Sequence, residues 1–583
     1  MVYYENIARL QDSGYHPFGL CYEFLCLAVF RTCRVGEILT VCVGMHHTKQ
    51  RSPLGWLLGV MVFFLGALTS FAQEVTEKLP EPSLDQKIDK WFGDVTAPFV
   101  NTIFTSVKIG KFDALLVVFW LAAAGLVLTV AFKFINIRAF GLATRTVRGK
   151  YSLATDPGEV THFQALSAAV SGTVGLGNIA GVAIGIHSGG PGVAFWLFLS
   201  GFLGMSTKFA ECTLGVKYRI FDTEGRVHGG PMYYLRRGLS ERGLKPLGMV
   251  LAFFFAIFCV FASFGGGNVF QVNQVTSQLI NITGGEQSFF FDKQWVFGLI
   301  MAFMTALVIL GGIKGIAKVT YVVSCLLVLI VNASHIFPAL QMIITEAFNP
   351  RAAITGGILA AFIWGMRRAT FSNEAGIGSA PIAHAAAKTR RPASEGVVAL
   401  LEPFLDTVVI CTMTALVLCV TMNFDGNTGN YVINGHPYVL GTAGAGTKDG
   451  IAMTSAAFET IHSSFKYVLF LCVFLFAFST LITWSYYGLQ AWQYLFGKKA
   501  ITAWIYKVIF CLIIIVGSAA SMNNATDFSD ASLFAMSIPN LIGVYLLLPV
   551  VRSELSRFVS FSKRVDAGAS VEEADAEDRE HHS

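Results

Sequence analysis

Charge is scarce in this sequence: Asp, Glu, Lys and Arg supply 14% of its 583 residues, apolar residues 54%, and the mean hydropathy is +0.59. A soluble domain has too little interior to hide that much apolar surface, so a water-soluble globule is excluded and the bilayer is the solvent. The charge present does not cluster. Lys and Arg number 42 against 37 Asp and Glu, for a net charge of +5, and no basic stripe is interleaved with aromatics, so nucleic acid is excluded as a partner. Paired cysteines are missing as well: four of the eleven lie in the first 42 residues and the rest mostly inside apolar runs, without zinc or disulfide spacing. They read as small apolar core residues. A catalytic set is also lacking. His335, His384 and His462 stand singly in separate spans, with neither metal spacing nor a nucleophile and base, so no enzyme is expected.

Long apolar runs are what the sequence has in abundance, many of 18 residues or more, enough for a helix to cross a hydrocarbon core of roughly 30 Å. The fold class expected is an all-α integral membrane protein of about eleven spans, near 113–135, 162–187, 192–216, 248–280, 294–313, 317–345, 355–386, 394–422, 452–493, 502–521 and 529–551. Upstream, basic residues from Met45, an apolar core at 54–68 and then Ser70, Phe71 and Ala72 follow signal-peptide order. On that reading 45–72 is a signal peptide, 1–44 an extension or mis-annotated start, and 73–112 a polar segment outside the membrane; an uncleaved twelfth span is the competing reading.

Loop charge sets the orientation, because Lys and Arg are retained on the cytoplasmic side. Arg138, Arg145, Arg148 and Lys150 follow the first span, seven basic residues from Lys217 to Lys245 follow the third, and Lys388, Arg390, Arg391, Lys498 and Lys499 follow later on the same side. The alternate loops are nearly free of positive charge. The mature N-terminus is therefore expected outside a bacterial inner membrane and the C-terminus inside, with 552–583 a cytoplasmic acidic tail whose stretch around Glu572 to Glu580 reads as disordered and solvated.

Two spans are too irregular to be plain rods. The second places Gly172, Gly175, Gly177 and Gly181 at mid-membrane beside Ser171, Thr173 and Asn178. Glycine at that density favours unwinding, which frees carbonyls for a cation and aims the amides of the following half-helix at a carboxylate. Close packing of helices is the competing role for these glycines, but clustered polar side chains at that depth favour a cavity. The seventh span, with Arg367, Arg368, Ser372, Asn373 and Glu374 before Gly376 and Gly378, is expected to be discontinuous too. Each begins a run of five helices, and because five is odd the two runs start from opposite sides, which is the arithmetic of a five-plus-five inverted repeat (162–345 and 355–551).

The stretches from Val174 to Ala183 (VGLGNIAGVA), His228 to Tyr234 (HGGPMYY) and Phe371 to Ala387 (FSNEAGIGSAPIAHAAA) resemble the alanine or glycine:cation symporter family, over roughly residues 110–555. The resemblance implies sodium-coupled uptake of alanine or glycine by alternating access, on the fold shared with bacterial leucine transporters. It implies that Thr173, Gly175, Gly177 and Asn178 surround the substrate carboxylate, with Thr173 and Asn178 also near a first cation. Sodium would be held by Ser171 and Val174 with Phe476, Ser479 and Thr480, as the co-transported ion, one or two per cycle, and with no organic cofactor. Asn268 and Gln271, three apart and hence on one helical face, resemble the family's polar substrate contacts, with interhelical hydrogen bonding as the competing role. Phe362, Met366 and Trp484 would form the apolar wall. The sequence departs from the family's usual form at Leu176, where a small polar residue is expected, and at Arg368–Ala369. Pro381 marks either a gating kink or a simple bend. Among Glu211, Glu374, Glu402 and Asp406, Glu374 is expected to shape the inner gate, and Glu402 and Asp406, four apart, to be structural. A channel lacks support because it would need pore-lining rings. A proton-coupled carrier or a sensor that binds without transport would use the same site.

Overall fold

The computed structural model describes residues 82–109, 112–309, 317–348, 357–425, 430–438 and 450–580. The expected extension and signal peptide (1–72) lie outside the described residues. The polar reading of 73–112 missed an amphipathic helix, α1 (Leu84–Ile103), begun by a capping box between Ser83 and Gln86 and followed by the hairpin β1 (Ser106–Ile109) and β2 (Phe112–Leu115). Asp85 of α1 accepts the backbone amides of Gln294 (2.7 Å) and Trp295 (3.1 Å), and Asp89 accepts that of Ser521 (2.6 Å). Both acids sit at the starts of spans, where a negative side chain satisfies orphan amides and the helix dipole.

Every expected span carries a helix. In chain order they are α2 (Leu116–Ala131), α3 (His162–Thr173) with α4 (Ala180–Gly189), α5 (Val193–Lys217), α6 (Lys245–Phe264) with α7 (Phe270–Ile282), α8 (Gln294–Ile309), and α9 (Ala317–Val331) with α10 (Ile336–Ala347). The second run holds α11 (Gly357–Asn373) with α12 (Ala380–His384), α13 (Pro392–Ala399) with α14 (Thr412–Thr421), α15 (Ile451–Glu459), α16 (Phe465–Phe496), α17 (Ala500–Ala519) and α18 (Met522–Leu546). Among the described residues five spans are long and apolar enough to cross unaided, and three more qualify as bent pairs. The second span bends by 59° at its break. Each run of five opens on a broken helix, as the glycine pattern implied.

Three boundaries differ from expectation. The ninth span is only α16, and α15 stands apart from it. The last span starts at Met522 rather than 529, because Asp527 and Asp530, which make the stretch look like a loop, have partners inside the protein. The acidic stretch is helical as far as Glu580. After α18 the chain turns by 64° into α19 (Leu548–Asp566) and then α20 (Val571–Glu580).

These tail helices pair with the basic loops. Asp566 meets Lys150 at 2.6 Å and Arg145 at 3.4 Å, and Asp575 meets Arg391 at 2.6 Å and Arg390 at 3.3 Å. The Arg391 guanidinium lies 3.4 Å from the Phe561 ring centroid. Opposite charge on the two segments explains the order that composition alone did not show. The Lys150 hydrogen bond, then that of Tyr151 and the nearby charge of Arg145, hold the Asp566 carboxyl below the ordinary carboxylate range. Its contribution to docking is therefore complete above its unfolded pKa and is lost as pH falls through the lower folded value. Limited proteolysis of the tail at neutral pH is expected to quicken about fivefold between ~0.05 M and ~0.5 M salt, as screening shortens; a rate indifferent to salt would show that charge does not hold the tail.

Candidate functional site

The second span breaks because its glycines let other elements come close. Val174 leaves the helix with ψ 93°, and Gly175 is extended (φ −143°) ahead of a single tight turn over Leu176–Asn178. A Cβ on Gly175 would lie 2.5 Å from the Thr480 hydroxyl, so the unwound segment rests directly on α16. In the seventh span α11 stops at Asn373. Glu374 takes a left-handed conformation (φ 57°), as do Gly376 and Gly378, and Pro381 occupies the first turn of α12. Pro381 therefore starts a helix rather than bending one.

A small cavity, about 10 Å³ and so near the room one water needs, lies between the two breaks. The backbone of Gly172, Gly177 and Gly266 forms its floor, Thr173, Gln271, Glu374 and Thr480 bring polar atoms, and Phe371, Trp484 and Leu533 wall it. Gln271 bridges two irregular segments: its Oε1 accepts the Leu176 amide (3.3 Å) and its Nε2 donates to the Gly266 carbonyl (2.9 Å). Trp484, 1% exposed, donates from Nε1 to Glu374 at 3.0 Å, and the Ser379 hydroxyl donates to the same carboxylate.

Beside the cavity the Ser479 hydroxyl donates to the Ser171 carbonyl at 3.2 Å and to that of Phe476 at 3.1 Å. Thr480 is buried, and its Oγ1 has no hydrogen-bond partner among the described residues. A buried hydroxyl left unpaired is costly. Carbonyl and hydroxyl oxygens, such as those of Ser171, Phe476, Ser479 and Thr480, are the kind of ligand a hard cation takes.

Four expected contacts point elsewhere. Asn178 is not turned to the cavity: its Oδ1 accepts the Gly175 amide (2.8 Å) and its Nδ2 donates to Asp406 (2.6 Å). Asn268 donates to the Phe510 carbonyl of α17 at 2.8 Å. It sits in a π turn (Gly265–Val269), and the wider winding removes it from the face of Gln271. Phe362 packs on Phe119 and Trp196, with ring centroids 5.4 and 5.2 Å apart, and Met366 is buried without lining the cavity.

Sequence reasoning also missed partners. Asp406, fully buried in a second π stretch (Phe404–Cys411), accepts from Asn178, Ser372 (2.8 Å) and Thr407 (2.7 Å), and it forms no ion pair among the described residues. It ties the unwound segment of the second span to the break in the seventh. Arg367 (2.7 Å) and Arg368 both end on Asp530 of α18. His384 is not solitary, facing Glu395 at 2.5 Å and Glu402 at 3.4 Å. The acids were visible in the sequence as charges at membrane depth; their partners were not.

Residues 98–572 match the family model described as the sodium:alanine symporter family. The chain is 38% identical to the "Sodium/alanine symporter AgcS" of Methanococcus maripaludis, over 76% of this chain and 94% of that one. It is 30% identical to the "Probable sodium/glutamine symporter GlnT" of Bacillus subtilis, over 77% and 88%. The crystal structure of MhsT in complex with L-phenylalanine aligns over 69% of this chain and 93% of that one, at 15% identity and a TM-score of 0.47. Broken spans meeting at a small polar cavity thus belong to a chain that is a member of the sodium:alanine symporter family, a family of multi-pass, cation-coupled amino-acid transporters.

Proposed function

We propose that this protein imports a small neutral amino acid, alanine or glycine, together with sodium by alternating access. The observation that carries the reading is the unpaired Thr480 hydroxyl of α16, next in sequence to Ser479, which bonds Ser171, and against the Gly175 segment where the second span unwinds. Sodium sits there, among the carbonyls of Ser171, Val174 and Phe476 and the hydroxyls of Ser479 and Thr480. The substrate carboxylate meets the backbone at Gly177, next to the Gly175 and Leu176 amides that Asn178 and Gln271 hold, ahead of the positive end of α4. Its ammonium faces the Glu374 side of the cavity, and Trp484, Phe371 and Leu533 limit side-chain size. Asp406, a fully buried carboxylate with only neutral donors around it, supports a second cation near Asn178 and Ser372. The basic end of the molecule faces the cytoplasm, on the strength of its Lys and Arg loops.

Uptake of radiolabelled alanine and glycine into liposomes under an inward sodium gradient tests this. Accumulation that collapses with the gradient is expected. Thr480→Val, which keeps the shape and removes the oxygen, is expected to raise the sodium concentration for half-maximal uptake about tenfold or more, the loss of one ligand being worth upward of ~1.4 kcal/mol. Uptake indifferent to sodium would instead point to a proton-coupled carrier, and substrate binding without uptake to a sensor.

A further inference from the structure

The basic end holds buried contacts that the transport site does not use. Residues 157–160, just ahead of α3, and 386–389, just after α12, are joined through their backbones: the Glu159 amide donates to the Ala386 carbonyl (2.8 Å), and the Lys388 amide to that of Val160 (2.7 Å). Arg219, just past α5, closes the same seam. Its guanidinium donates to the carbonyls of Ala385 and Ala387 (both 2.6 Å), Thr389 (2.7 Å) and Pro157 (2.8 Å). Near the seam lies Glu395 of α13, fully buried, with His384 Nδ1 2.5 Å from one carboxylate oxygen and His162 Nδ1 paired with the other. Glu402, 3.4 Å from the far nitrogen of His384 and itself 3.1 Å from Lys208, holds that ring from the opposite side.

His162 is the first residue of α3 and His384 the last of α12. One carboxylate therefore holds both broken spans at the ends farthest from their breaks. Neither half is steered through its break: α3 ends where the backbone turns extended at Val174 and Gly175, and α12 has only five residues behind a run of left-handed positions. Each half is placed by what its far end grips. In a water-excluded setting a carboxylate shared by two imidazoles is a strong tie, and its loss takes from His162 its Nδ1 partner and leaves His384 with Glu402 alone.

We propose that Glu395 is a positioning residue for transport: it fastens α3 and α12 into one body, so that these halves move together and neither opens alone. The consequence for transport rests on the symporter reading above; the fastening itself does not. Hydrogen exchange on the purified full chain tests the fastening without any flux. Glu395→Ala is expected to raise amide exchange in α3 and α12 together, by about tenfold, with α16 unchanged. A rise confined to one half, or spread evenly over all spans, overturns it. Sodium dependence from the two sides tests the role in transport. In proteoliposomes sorted by orientation, the half-saturating sodium concentration is expected to rise from the outside and fall from the inside, the two separating about tenfold, because freeing α3 favours one conformation. Glu395→Gln, which keeps one acceptor oxygen, is expected to fall between. Fewer working carriers with both sodium constants unchanged would make Glu395 merely structural and overturn its role in transport. Absence of sodium-driven uptake in the unaltered chain would sink the symporter reading instead, and the exchange result would still decide the fastening.

Discussion

Replacing Asp530 with alanine is expected to cost about 3–5 kcal/mol of stability, the loss seen when one partner of a buried ion pair is removed. Asp530 is fully buried and receives two cations: Arg367 through Nε (3.0 Å) and Nη2 (2.7 Å), and Arg368 through Nη2. Arg367 has other company, with Asp527 at 3.4 Å and the rings of Trp364 and Phe104 at 4.4 and 4.8 Å from its guanidinium carbon. Arg368 has much less. It is fully buried, its Nε and Nη1 have no hydrogen-bond partner among the described residues, and its guanidinium carbon lies near the rings of Phe371 (5.2 Å) and Trp364 (5.7 Å). Uptake should fall with stability, because Phe371 walls the cavity and a Cβ on Gly185 of α4 would lie 2.7 Å from the Arg368 side chain. The pair thus fixes α4, α11 and α18 to one another. Asp527→Ala, which removes a half-exposed partner, is expected to cost no more than about 1 kcal/mol. Thermal unfolding in detergent separates the two variants. If Asp530→Ala melts within ~2 °C of the parent, the two guanidiniums do not depend on that carboxylate.

The helical segments were legible in the sequence because a bilayer demands long apolar runs, and the two breaks were legible because glycine and polar residues at that depth have few other uses. Legibility ended where side-chain direction depended on local winding. Asn268 and Gln271 share a face only in a regular α-helix, and the π turn at Gly265–Val269 separates them. The same reason parts Glu402 from Asp406: four residues apart, they stand at the edge of a π stretch, and one meets Lys208 while the other meets Asn178. Phe362 was placed in the cavity wall by resemblance, yet its neighbours are Phe119 and Trp196. Partners distant in sequence were invisible too, which is why the start of α18 looked like a loop and the acidic tail looked disordered until Arg367, Arg390 and Arg391 stood beside them.

A single methyl at Gly175 is expected to abolish sodium-driven uptake while leaving a folded protein. The backbone there, at φ −143°, lies outside the left-handed region, so alanine meets no conformational strain. The obstacle is contact, because the new Cβ would lie 2.5 Å from Thr480 Oγ1 and 3.5 Å from Gln271 Oε1. Overpacking of this kind costs about 1–3 kcal/mol, and here it falls between the unwound segment and α16, where the proposed sodium ligands meet. Either the segment moves off α16 or Thr480 turns away, and each separates the carbonyls of Ser171 and Val174 from the hydroxyls opposite. Uptake at physiological sodium should fall about a hundredfold, equivalent to ~2.7 kcal/mol. Gly177→Ala is expected to be milder, since its nearest neighbour is a Phe371 ring carbon at 3.1 Å that can give by a few tenths of an ångström. The double variant Gly175→Ala with Thr480→Ala separates crowding from chemistry. Removing the hydroxyl relieves the contact, so the melting temperature should recover while sodium dependence does not. Recovery of both would mean that Gly175 serves only to make room, and that sodium is held somewhere other than between the unwound segment and α16.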